Sequence, residues 1–329
     1  MKLTDNQQKV FEAISEECNT AKSIAEKIGS TAQSVNSTLT ALEKKELITK
    51  NKDKTVSRIA GESQTPDPGS PVSDPQSPVP VLIPYLKSQA AGDELKYALR
   101  SFEANLQTDI EVIVIGDRED WFNEENITHI PVDVHSLTVE GKEKTDPQAD
   151  VANKILTAIA SLELSGEFIL TYDDVFILGQ TEKSELLPYA FGELSKAGST
   201  NSEYRRKAEK TAEILQKKGL KTIRYDAHTP VILDAESISA IISEHKALER
   251  GLLIKSLYFN KHKENYRPVQ VNGGLHDPVL ASIYRADPQL GPLHDAVKNR
   301  KFMNCNTAGW KAVYPIMKSL FPEKSKFEK

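Results

Sequence analysis

Apolar residues in the first sixty positions recur at a helical period. Val10, Phe11 and Ile14 lie on one stripe behind Thr4, which stands three before Gln7 at a capping-box spacing. Ile24, Ala25 and Ile28 form a second stripe between Thr20, a candidate N-cap, and Gly29, a candidate stop. Val35, Leu39 and Leu42 form a third, which opens at Ser30 or Thr31 and leaves Gln33, Ser34, Asn36, Ser37 and Thr40 on the outward face. The period then shortens. Leu47 to Lys50 and Lys54 to Ile59, separated by Asn51-Lys52-Asp53, read as a hairpin with Lys50, Lys52, Lys54 and Arg58 on or near its tip.

Residues 61–80 carry no apolar period. Proline recurs there at 66, 68, 71, 75, 78 and 80 among Ser, Gly and Asp, a composition that favours extended, semi-stiff chain. The pattern therefore predicts an N-terminal domain over 1–60, a linker over 61–80 and a second domain over 81–329. In the last of these, strand and helix signals alternate, as in an α/β layer architecture. Strands are predicted at 80–84, 109–117, 128–132 and 167–174, and helices at about 93–106, 148–162, 202–218 and 235–248. The run Asp109-Ile-Glu-Val-Ile-Val-Ile-Gly-Asp117 is apolar enough for a strand buried on both faces of a parallel sheet.

Composition narrows the classes. At 329 residues the chain holds about two domains. Forty-two Lys and Arg against 47 Asp and Glu leave −5, so no global basic field attracts nucleic acid or membrane, and only residues 1–60 are net basic, at +2. No segment approaches the ~18 apolar residues of a membrane span, and Met1-Lys2-Leu3-Thr4-Asp5 opens no apolar signal core, so a cytoplasmic location is expected. Cys18 and Cys305 are far apart and have no Cys or His at ligand spacing, which argues against a disulfide framework or structural zinc site.

Two clusters carry candidate chemistry. The apolar strand Phe168-Ile-Leu-Thr runs into Tyr172-Asp173-Asp174. Carboxyl ends of strands line the ligand crevice of an open α/β sheet, and two carboxylates there suit a hard dication that also takes diphosphate oxygens. In Asp226-Ala-His228-Thr-Pro230, the acid and the imidazole are two apart, so an extended chain projects both to one side. His228 is a candidate metal ligand or general base. Secondary candidates for the donor are Asp117 behind Gly116, for ribose or base; Lys87 and Arg100, for phosphate; and Asn153 and Lys154, for sugar or diphosphate. Gly273-Gly274 lacks a phosphate-loop pattern, and Tyr204-Arg205-Arg206-Lys207 reads first as a solvated helix face.

The order of elements in residues 4–60, especially SVNSTLTALEKKELITK, resembles the winged helix-turn-helix family. That resemblance implies DNA contact by Gln33, Ser34, Asn36 and Ser37 in a major groove and by Lys52 and Lys54 at phosphates, with a protein-interaction module as the rival. Over most of 81–329, Leu95-Lys-Tyr-Ala-Leu-Arg100-Ser101, EVIVIGD with Trp121, GEFILTYDDVFIL, DAHTPVIL and Phe321 to Glu328 follow the block order of Stealth-type sugar-phosphate transferases and related GT-A-like glycosyltransferases. The resemblance implies a mixed or parallel sheet with helices on both faces and a nucleotide-sugar donor. It also implies Mg²⁺ or Mn²⁺ at Asp173, Asp174 and His228, with Asp174, His228 and Asp226 as catalytic candidates. Val81-Leu-Ile-Pro84-Tyr85-Leu86-Lys87 replaces the family's Trp- and Asp-rich opening, which favours plain glycosyl transfer over phosphosugar transfer. A hydroxylated DNA base is the acceptor suggested by the tethered N-terminal domain. The alternatives are a sugar-1-phosphate transferase acting on cell-surface glycan and a non-enzymatic DNA-binding regulator that senses a nucleotide sugar.

Overall fold

The structure is a computed structural model that describes residues 9–11, 13, 14, 19–44, 48–50, 55–58, 77–139, 141–199, 201–274 and 276–329. The chain divides into two compact units, Met1–Asp74 and Pro75–Lys329. The Thr4 cap, Cys18, Lys52, Lys54 and most of the proline-rich stretch lie outside the described residues, as does the side chain of Gln33.

In the first unit, Thr20 and Ser23 form a reciprocal capping box at the start of α1 (Ala21–Ile28), and Gly29 ends the helix in the left-handed region at φ 67°. Helix α2 (Ala32–Lys44) opens with the Thr31 hydroxyl accepting from the Ser34 N–H. It is followed by β1 (Ile48–Lys50) and β2 (Val56–Arg58), which pair antiparallel. Val10, Ile24, Val35, Leu39, Leu42, Ile48 and Val56 make one small core, while Ser34, Asn36 and Ser37 of α2 are exposed.

The second unit is mixed α/β around a mostly parallel sheet. Its strands are β3 (Val79–Tyr85), β4 (Ile110–Gly116), β5 (Ile127–Ile130), β8 (Glu167–Leu170) and β10 (Val231–Asp234), in the order β10-β8-β3-β4-β5. Strands β3, β4, β5 and β8 are parallel, and β10 runs antiparallel beside β8. The first strand of the unit is thus central, and Val81–Tyr85 and Val112–Gly116 are buried as their unbroken apolar runs require. Helix α3 (Glu94–Asn105) covers one face, through Leu95, Leu99 and Phe102. The other is covered by α4 (Pro147–Ser161), α5 (Glu203–Lys217), α6 (Ala235–Glu244) and α8 (Ile254–His262), with α7 (Ala247–Arg250) between the last two. A small antiparallel pair, β6 (Ser136–Val139) and β7 (Lys142–Thr145), precedes α4.

Two features depart from the sequence-based expectation. The strand expected over 167–174 stops at Leu170, and after a turn the chain resumes as β9 (Val175–Ile177) in a different sheet, antiparallel to β12 (Phe302–Cys305) and in the order β11-β12-β9 with β11 (Leu280–Ile283). Helices α9 (Leu290–Asn299) and α10 (Thr307–Leu320) close a third core around this second sheet, through Leu293, Trp310, Val313 and Met317. The handover has a physical reason: Phe176 packs with Trp310 and Tyr97 in that third core, whereas Phe168 and Leu170 belong to the core of the large sheet. Among the described residues, no helix is long and apolar enough to cross a membrane.

Candidate functional site

The turn between the two sheets carries the acidic doublet. Leu82 O accepts from the Thr171 N–H at 3.1 Å, which ends the pairing with the central strand, and Tyr172 O accepts from the Val175 N–H at 3.3 Å, which closes the turn around Asp173 and Asp174. Both carboxylates thereby reach one cleft of about 570 Å³ beside the carboxyl end of β3. Pro84, Leu86, Glu94, Lys154, Tyr172, His228 and Asn306 are among its other walls. His228, more than fifty residues away in sequence, places Nδ1 3.8 Å from Asp174 Oδ1, and its ring stacks on Tyr172 with centroids 5.1 Å apart.

The electrostatics are those of crowded acids. The Asp173 carboxyl is pushed up to about 8, first by burial and then by the charges of Asp174 and Glu94. Glu94 is itself raised, again first by burial, although it accepts the Ala91 N–H. Sequence reasoning missed Glu94, since an acid in the first turn of a helix reads as dipole compensation. Among the described residues no three His, Cys, Asp or Glu side chains stand in a metal-holding group. The donor set fits a hard cation only if Asp173 and Asp174 hold it through part of its shell and substrate oxygens fill the rest.

The other candidates are distributed differently from expectation. Lys154 lines the cleft but is almost wholly buried, its ammonium donating to Asp150 Oδ2 at 2.8 Å and to Tyr85 O at 3.0 Å. Gly116 makes that packing feasible: at φ 122°, a Cβ there would stand 2.1 Å from Tyr85 O and 2.9 Å from Lys154 Cε. Lys87 pairs with Glu119 at 2.8 Å, while Asp117 accepts the Lys87 backbone N–H, and neither lines the cleft. Arg100 is turned to the C-terminal segment, where it forks onto both oxygens of Glu328 at 2.7 Å and donates to Phe321 O and Pro322 O. Asn153, the neighbour of Lys154 on α4, is half-buried and does not line the cleft. Asp226 does not project with His228 into the cleft either. It lies with Oδ1 3.4 Å from Arg224 Nε, and burial raises its carboxyl, an effect opposed by the cation of Lys255. Lys255 is the second residue the sequence reading missed, because in a helix that mixes Lys255, Ser256, Asn260, Lys261 and His262 with apolar residues no single cation gives a periodic signal.

No family model and no curated protein matches the chain. Among solved structures, similarity is found to a crystal structure of a glycosyltransferase involved in the glycosylation of the major capsid of PBCV-1. The identity is 11%, the alignment covers 69% of this chain and 93% of that chain, and the TM-score is 0.31. A likeness that loose does not bear on activity.

Proposed function

We propose that the larger unit is a metal-assisted glycosyltransferase that uses a nucleotide-sugar donor. The observation that carries this reading is the convergence of Asp173, Asp174 and His228 in one cleft at the carboxyl end of the central parallel strand, where an open sheet presents its ligands. The block resemblance described above points the same way.

Asp174, whose Oδ1 faces His228, would be the principal holder of Mg²⁺ or Mn²⁺, with Asp173 assisting and His228 beside it. When bound, the ion would supply positive charge to the diphosphate leaving group. In the reaction itself the bond from the sugar C1 to the diphosphate oxygen breaks. The acceptor oxygen bonds to C1 and gives up its proton to the imidazole of His228, the general-base candidate that lines the cleft, and the nucleoside diphosphate departs. Tyr172 holds the His228 ring flat beside Asp174, and buried Lys154 supplies a fixed positive charge on the cleft wall. The first unit is proposed to be a winged helix-turn-helix module that brings the enzyme to DNA, with a hydroxylated base as acceptor.

The test is incubation with a panel of nucleotide sugars, with Mg²⁺, Mn²⁺ or chelator. Metal-dependent release of nucleoside diphosphate is expected, and its loss in Asp174→Asn with an unchanged melting profile. Release of nucleoside monophosphate would instead indicate sugar-1-phosphate transfer, and the absence of turnover with any donor would refute the reading.

A further inference from the structure

The segment that carries His228 pairs at its start with the backbone of residues 191–194, through Arg224 N–H to Gly192 O at 2.8 Å and Phe191 N–H to Arg224 O at 2.9 Å, and beyond that it is held by the side chains of a helix. Asn260 of α8 accepts the Ile223 N–H at 3.1 Å and donates to Ile223 O at 2.7 Å. Ser256 Oγ accepts the Tyr225 N–H at 3.0 Å, and Lys255 Nζ donates to Ala227 O at 2.8 Å. Residues 223, 225 and 227 thus present alternate backbone groups to one helix, and all three of the helix side chains are buried. The two-residue period assigns the intervening positions, Arg224 and Asp226, to the other side of the segment, and His228 follows at the bend where the chain meets the cleft.

Lys255 differs from its two companions. Its ammonium lies 5.0 Å from the centroid of the Tyr172 ring, and that ring stacks on the His228 imidazole at an interplanar angle of 26°. One buried cation therefore touches both supports of His228, the Ala227 carbonyl immediately before it and the aromatic ring beneath it. A buried ammonium costs several kcal/mol unless it is paired, and a Met of similar length would fill the same space without that cost. Its partners are the carbonyl, the ring face and the nearby charges of Asp226 and Asp174.

We propose that Lys255 is a positioning residue for His228, fixing the height and tilt of the imidazole beside Asp174 through the Ala227 carbonyl and the Tyr172 ring. The role in turnover rests on the transferase reading above; the geometric role does not. The test uses the full chain with isotope-labelled histidine, and follows the His228 ring-proton resonance, which Tyr172 displaces by its ring current. Lys255→Met should move that resonance toward the position of a free imidazole, Lys255→Arg should restore most of the displacement, and Ser256→Ala, which removes only the Tyr225 contact, should leave it in place. In turnover, Lys255→Met should lower kcat about tenfold or more with donor KM changed less than about threefold, because a misplaced group acts on the reacting complex rather than on donor binding.

Where Lys255→Met does not fold, Lys255→Gln, which can still donate to Ala227 O but offers no cation, takes its place and should also displace the resonance. An unmoved resonance in folded Lys255→Met, or in Lys255→Gln where that variant takes its place, would overturn the proposal. So would an equal movement in Ser256→Ala, since that would indicate general loosening of the segment. A displaced resonance in a protein that turns over no donor would leave the positioning role standing and sink the transferase reading alone.

Discussion

The pair formed by Lys154 and Asp150 permits a quantitative prediction about the floor of the cleft. The two side chains are only 1% and 8% exposed, 2.8 Å apart and one turn apart on α4. Asp150 also accepts the His135 N–H at 2.8 Å, so in Lys154→Met the carboxylate stays buried with one neutral donor and no counter-charge. Tyr85 O loses its 3.0 Å donor at the same time. Removing one partner of a buried pair costs about 3–5 kcal/mol. For a unit of this size each kcal/mol shifts the melting temperature by about 2–4 °C, so the variant should melt about 6–20 °C lower. Asp150→Asn combined with Lys154→Met removes both charges, and should recover at least about 2 kcal/mol relative to the sum of the single losses. Calorimetry of the full chain and of the three variants measures all four corners of the cycle. A loss under about 1 kcal/mol in Lys154→Met, or strict additivity in the double variant, would show that the buried charge is compensated by something other than Asp150.

Three further outcomes are expected. The Asp173 carboxyl, raised to about 8 in the folded protein against ~3.9 in an unfolded chain, makes the folded state hold the extra proton. Stability in metal-free buffer should therefore be greatest at low pH within that window and fall as pH rises from about 4 to 8, by up to about 1.4 kcal/mol per pH unit, with a flatter profile in Asp173→Asn; parallel wild-type and variant profiles would contradict this. Arg100→Gln breaks the fork onto Glu328 and should cost about 3 kcal/mol by urea denaturation while leaving donor KM within about twofold, because the guanidinium is spent on the C-terminal segment. If the first unit binds duplex DNA, retention of the full chain on a DNA column should fall steeply between about 50 and 200 mM salt, through release of phosphate counterions; elution independent of salt would remove the DNA-directed reading.

The two central strands of the large sheet were legible from local pattern because they are nearly unbroken apolar runs: Val81–Tyr85 and Val112–Ile115 satisfy a position buried on both faces. The caps at Thr20 and Gly29 were legible for a similar reason, since a capping hydroxyl and a left-handed glycine act within four residues of themselves. Asp173 and Asp174 were found because two adjacent acids at the end of an apolar run are a local anomaly. Their setting was not found. That the chain changes sheets at this doublet depends on Phe176 preferring the core made with Trp310, a residue more than a hundred positions away. The fates of Lys87 and Arg100 were decided in the same way, by Glu119 and Glu328, because a cation takes the nearest carboxylate in space and the sequence does not order those distances. Glu94 and Lys255 became visible only when burial put them beside other charges. Local sequence determined which segments form strands and helices and where acids stand out against apolar runs. Tertiary structure decided which charges are mutually close and dry, and that proximity sets the chemistry of the cleft.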